Sequence, residues 1–248
     1  MAVEKLSGES ATAVTRDGAI WMARSRWYGL FAAAFTAPFT GASLRALLSL
    51  PFEPAFQALD RDGLLAARWQ AVLASSRVLD GDALAARLHA EFDRLFLVPV
   101  QGEMVSLAAT TYLAPEQQTG ERQAWFEQLY SSLGFDWRAS LAALPDIGVW
   151  PVEPEHASLI FAALAIICQE LAGHYDDQLT SSDLRRVLRA IVTKSGDWLQ
   201  RCLAAVTEQA SEPFYRFFAE AAAAFLSVDQ EHWEDEDMAS GPALASEE

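Results

Sequence analysis

Cysteine, histidine and positive charge are all scarce in this sequence, and each shortage removes a class of chemistry. Cys168 and Cys202 are the two cysteines among 248 residues. They form no Cys-x-x-Cys pair, and both fall in stretches of helical periodicity, the usage of a reduced compartment in which thiols fill core space. The four histidines, His89, His156, His174 and His232, never form His-Glu-x-x-His, and no Cys/His set has zinc spacing. No metal site is expected. Lys and Arg number 18 against 34 Asp and Glu, for a formal net charge of −16. Such a surface repels phosphate backbones and favours basic partners, so no nucleic-acid partner is expected.

Phosphate cradles are missing too, since there is neither a Gly-x-x-x-x-Gly-Lys-Ser/Thr loop nor a Gly-x-Gly-x-x-Gly turn between strand and helix. A Gly-x-Ser-x-Gly elbow is absent, along with the strand and helix alternation that would hold it. No catalytic residue and no cofactor is therefore assigned, and the chain is expected not to be an enzyme. An all-helical enzyme whose pocket is built from residues scattered in sequence stays open as an alternative.

Long hydrophobic runs are lacking as well. The longest, Leu159 to Cys168, would make a helix of about 15 Å, roughly half of a hydrocarbon core, so it is expected to be a buried helix with no stable membrane insertion. Met1 to Asp17 has no apolar stretch of a secretory signal and carries Glu4 and Glu9. The expected location is the cytoplasm.

What the sequence does have is apolar periodicity near 3.6, in a chain that is 52% hydrophobic and 11% aromatic. Trp27, Leu30, Phe31, Ala34 and Phe35 define a first helix that Pro38 stops. Short helices follow at Ser43 to Leu50 and Pro54 to Asp60, then an alanine-rich helix from Leu64 to Ser76 after Asp62. Asp80 or Asp82 caps the next, with Leu84, Leu88, Phe92, Leu95 and Phe96 on one stripe. Periodicity fails from Val98 to Ala114, where Pro99, Gly102 and Thr110-Thr111 point to an ordered excursion. Pro115 suits a first helical position, leading through Trp125, Phe126, Leu129 and Leu133 to Gly134.

A second irregular stretch, Leu144 to Glu153, contains Pro145, Gly148, Trp150 and Pro151 and is the hinge candidate. Pro154 to about Tyr175 is apolar nearly all round, as a central helix would be. Thr180 with Asp183 has capping-box spacing and opens a helix that Ser195-Gly196 is expected to interrupt. Pro213 starts the last helix, with Phe214, Phe217, Phe218, Ala221, Phe225 and Leu226 on its apolar face, and an acidic tail follows Asp229. Glu153 and Glu155 are expected to solvate a helix start, and Arg185-Arg186 to lie on solvated surface.

Thus the expected fold class is all-α, a single globular bundle of roughly ten helices. Its expected divisions are a flexible N-terminus (1–17), an N-terminal helical part (18–143), a hinge (144–153), a C-terminal helical part (154–230) and an acidic flexible tail (231–248). Length suits a monomer or a dimer that swaps its C-terminal helices across the hinge.

Four segments, taken in order, resemble the TorD/DmsD family of redox-enzyme maturation chaperones. Arg26-Trp27-Tyr28-Gly29-Leu30-Phe31 is like the family's opening helix. Glu91-Phe92-Asp93-Arg94-Leu95-Phe96, followed by Pro99, Gly102 and Tyr112-Leu113, is similar to its Glu-x-x-x-Leu-Phe element and the Gly/Pro loop beyond. Pro154-Glu155-His156 stands where the family carries an Asp-His pair at a helix start, with Glu155 replacing the Asp. Trp198, then Phe214-Tyr215 and Phe225-Leu226, resemble its closing helices. The acidic residues that usually follow the Asp-His pair are replaced here by Leu159, Ile160 and Ala162. Together the segments span most of residues 20 to 233.

The resemblance implies a TorD-like fold and a cytoplasmic chaperone. Its implied partners are the twin-arginine leader and the cofactor-free catalytic subunit of a molybdopterin-dependent oxidoreductase, held until the cofactor is inserted. A leader has a basic segment and an apolar segment, so its receptor should offer an apolar groove edged by carboxylates. The expected groove has Trp150, Glu153, Pro154, Glu155 and His156 at its edge with Tyr112 nearby. Trp150 would anchor apolar residues and the carboxylates would pair with arginines. For His156 a local helix cap is an equal reading, and for Trp150 a ring folded back on the core is the favoured one. A NarJ-like chaperone of a leaderless subunit is the alternative within the same class.

Overall fold

Phe161 has no exposed surface, and the rings of Tyr28, Phe31 and Phe35 lie 6.2, 5.6 and 6.1 Å from it. Around this contact the chain folds as an all-α bundle in a computed structural model that describes residues 16–50, 63–98, 104–142, 153–174 and 178–239. Nine α-helices occur among the described residues, with no strand.

Helix α1 (Arg16–Thr36) puts Trp27, Tyr28, Phe31, Ala34 and Phe35 inward, the spacing of one apolar face. It ends two residues before Pro38, whose ring disfavours a helical residue ahead of it. Helix α2 (Gly41–Leu48) starts at Thr40, whose side chain accepts from the Ser43 amide at 3.2 Å. Helix α3 (Leu64–Val78) buries Leu65, Trp69 and Val72, and α4 (Gly81–Phe92) is capped by Asp80, whose carboxylate accepts from the Asp82 and Ala83 amides. The expected helix from Pro54 to Asp60 lies outside the described residues.

The chain then passes through a π-helical turn, Asp93–Leu97, and Glu91, in the last turn of α4 before it, is buried. Its carboxylate accepts from Arg94 (2.7 and 2.8 Å) and from the amides of Ser211 and Glu212 (2.6 and 3.2 Å), while Arg94 donates to the Gln209 carbonyl at 2.7 Å. One Glu-x-x-Arg unit thereby satisfies both orphan ends of the corner between the last two helices.

After the 104–118 excursion come α5 (Gly120–Ser132) and α6 (Trp137–Ala142), with Gly134 at φ +65° closing α5. Pro115 does not begin α5. It opens a separate 3₁₀ turn, Pro115–Gln117, because the Gln118 side chain holds the Thr110 and Leu113 carbonyls and Thr119 supplies the cap. Helix α7 (Ala157–Gly173) is buried almost all round and packs chiefly on α1.

Helix α8 (Gln178–Gln209) departs from expectation twice. It begins before Thr180, and Asp183 pairs with Arg186 on its surface instead of completing a capping box. It also runs unbroken through Ser195-Gly196. A Cβ on Gly196 would stand 2.1 Å from the Gln230 side-chain amide, so this glycine lets two helices approach and does not break one. Arg185 is half-buried with its guanidinium 5.6 Å from the Trp21 ring centre, not on solvated surface. Helix α9 (Pro213–Ala239) continues nine residues past the expected boundary at 230. The helices before and after 144–153 share one core, α1 against α7 and α3 against α9. Among the described residues, no helix is long and apolar enough to cross a membrane.

Candidate functional site

Backbone pairing across a large sequence separation creates the site. Ala157 donates to the Leu107 carbonyl at 2.7 Å and Ala109 donates to the Glu155 carbonyl at 3.1 Å, giving an isolated antiparallel bridge between Ala108 and His156. Val105, Leu107 and Ala109 point into the core, so the excursion lies flat on the bundle. Midway it forms a 3₁₀ turn, Ala109–Thr111, followed by Tyr112, which lies over α8. The Tyr112 ring stacks on Trp198 at 6.4 Å, and its hydroxyl donates to the Ser106 carbonyl at 2.9 Å. The Cys202 thiol donates to the same carbonyl at 3.4 Å, and burial pushes that thiol up to about 12.

The bridge joins the 107–109 segment, three residues before Tyr112, to Glu155, His156 and Ala157, with Glu153 and Pro154 directly ahead of them, while Trp150 lies outside the described residues. Two of them turn inward. His156 is the N-cap of α7: its Nδ1 accepts from the Ser158 amide at 3.4 Å and lies 2.8 Å from the Ser158 hydroxyl. Burial lowers its pKa from 6.5 to about 4, which keeps the lone pair available for capping. The local-cap reading of His156 is therefore what is found. The Pro154 carbonyl accepts from Tyr130 at 2.6 Å, and Glu153 is half-buried, one carboxylate oxygen enclosed without a hydrogen-bond partner among the described residues.

Glu155 is not the solvated helix start expected of it, being 4% exposed. Its carboxylate is held by the Nε of Arg122, from the first turn of α5, and Arg122 also donates to the Lys194 carbonyl of α8 at 2.7 Å. Burial raises the Glu155 carboxyl above the usual carboxylate range, against the lowering pull of Arg122. One guanidinium therefore joins α5, the start of α7 and α8.

Outside this pair is a solvent-open groove of about 450 Å³, lined by Gln117, Thr119, Glu121, Arg122, Trp125 and Lys194. The Lys194 ammonium sits 5.3 Å from the Trp125 ring centre. Arg122, Trp125 and Lys194 were not among the expected site residues. One weak signal does mark Arg122: a cation in the first turn of a helix opposes the macrodipole, and a carboxylate partner offsets that cost.

No group of His, Cys, Asp and Glu among the described residues is arranged to hold a metal ion. A sequence model of the family described as nitrate reductase delta subunit matches residues 61–204, more than half of the chain and every residue of this knot. No curated protein and no solved structure matches.

Proposed function

We propose, for a chain that belongs to the nitrate reductase delta subunit family and with it to the molybdoenzyme assembly chaperones, a TorD/DmsD-like role at the stage before export. It holds the twin-arginine leader and the cofactor-free form of a molybdopterin-dependent catalytic subunit in the cytoplasm, releasing them once the cofactor is in place. It turns over no substrate and binds no cofactor of its own.

The family match supports the class of function. The observation that carries the finer reading is the buried Glu155 carboxylate, already seated on the guanidinium of Arg122, which lines an open groove. A basic leader segment brings the same chemical group. The net charge of −16 favours the encounter, and Tyr112, half-exposed on its Trp198 support, offers an aromatic face over α8, one turn along from the Lys194 carbonyl that holds Arg122. Glu153, Pro154, His156 and Trp150 complete the proposed peptide site, His156 by holding the α7 start in place.

Calorimetric titration with the twin-arginine leader peptide of a molybdoenzyme catalytic subunit from the same organism tests the reading. Saturable binding that weakens with added salt is expected. Binding that is absent at both salt concentrations overturns it. The description of the matching family favours one second reading, a NarJ-like chaperone of a leaderless subunit. Capture of the full-length apo-subunit without leader binding would select it.

A further inference from the structure

The guanidinium that Glu155 holds belongs to the chain itself, and it lies between the carboxylate and solvent. Arg122 lines the groove, whereas Glu155 does not, so an incoming cation meets Arg122 first. The side chain of Arg122 is 16% exposed and that of Glu155 5%. A buried carboxylate stripped of its cation is strongly disfavoured, whereas exchange of one guanidinium for another leaves its pairing unchanged. A partner that brings no cation therefore has no route to Glu155.

We propose that Arg122 is a built-in placeholder, an intramolecular latch that a client arginine displaces from Glu155. This rests on the leader reading above and adds its regulation. On exchange the client guanidinium takes the Glu155 carboxylate, and Arg122 leaves the Lys194 carbonyl for the open groove, where Glu121 also lies. The latch selects arginine over lysine, because the seat is shaped by a planar fork that donates from two nitrogens to two acceptors, the Glu155 carboxylate and the Lys194 carbonyl. Release of Arg122 also frees α5 from α8 at that point, coupling occupancy of the site to how Trp125 packs against Lys194.

The test uses the full chain and two synthetic leader peptides, one carrying consecutive arginines and one with both replaced by lysine. Wild type should bind the arginine peptide about tenfold more tightly than the lysine peptide. Arg122→Gln, with folding checked by circular dichroism, should bind the arginine peptide on the order of tenfold more tightly than wild type. If Arg122→Gln does not fold, Arg122→Lys keeps a charge on Glu155 and should show the same direction with a smaller gain. In wild type the Arg122 Nε–H resonance should move towards its solvent-exposed position as the arginine peptide is added.

Equal affinity for the two peptides, unchanged affinity in a folded Arg122 variant, or an Nε–H resonance unmoved at saturation would overturn the latch and leave leader binding standing. No binding of either peptide to wild type or variant would overturn the leader reading itself, and the latch with it.

Discussion

Tyr28 and Asp229, 201 residues apart, are joined by a buried hydrogen bond from the phenol to the carboxylate. Arg24 donates to the other carboxylate oxygen at 2.5 Å, and Asp229 is 1% exposed. Burial, then the facing Asp229, push the Tyr28 phenol well above its ordinary value, so it stays a donor at every accessible pH. This pair pins the first helix to the last. Tyr28→Phe should cost about 1 to 3 kcal/mol, the penalty for leaving a buried acceptor short of a donor. Asp229→Ala should cost more, about 3 to 5 kcal/mol, because it strands Arg24 as well. Urea denaturation followed by circular dichroism measures both.

Phe161→Ala should be the most damaging single truncation in α7. It removes a ring in contact with Tyr28, Phe31 and Phe35 from a site with no exposure, and about 3 to 5 kcal/mol is expected. Thermal unfolding should show a loss of several degrees or more, whereas truncating exposed Leu179 should leave the midpoint nearly unchanged.

Acid should lower stability over two pH windows, each with an identifiable group. His156 has a folded pKa depressed from 6.5 to about 4 by burial. Its contribution, about 3 kcal/mol, is fully present above pH 6.5 and is lost as pH falls towards 4. Burial pushes the Glu91 carboxyl up, but Arg94 and the amides of Ser211 and Glu212 outweigh it and hold the carboxyl below 4.5. That contribution is present above 4.5 and is lost only as pH falls below it. His156→Asn, which retains a capping side chain, should flatten the stability profile between pH 6.5 and 4 and leave the lower limb intact. Denaturant titrations across pH would show the slope surviving if His156 were not its source.

Neither thiol should react in the folded protein. Cys168 and Cys202 are fully buried, and burial raises both thiol pKa values, that of Cys202 to about 12. A chromogenic disulfide reagent at pH 8 should release almost no colour from native protein and two equivalents after guanidinium is added.

How much of this was legible in the sequence differs by kind of interaction. Local periodicity revealed α1, α4 and α9, because Trp27, Leu88 and Phe217 recur at spacings that one helix face imposes. Ser195-Gly196 misled for a tertiary reason: the helix penalty of one glycine is about 1 kcal/mol, and close packing against Gln230 outweighs it. Glu155 misled similarly, since an acidic residue at a helix start is ordinarily solvated, and only the distant Arg122 makes its burial tolerable. The approach of the 107–109 segment to the 155–157 segment depends on backbone pairing between residues about 50 apart, which no local pattern encodes. Only the family resemblance put Tyr112 and residues 153–156 into one expected group.

The most direct measurement is the cofactor content of a molybdoenzyme catalytic subunit from the same organism, purified from cells with the chain present, absent, or restored as Glu155→Gln. A molybdoenzyme assembly chaperone predicts a subunit largely empty of molybdopterin when the chain is absent, full when it is present, and intermediate with Glu155→Gln. Equal molybdopterin occupancy with and without the chain would contradict that role.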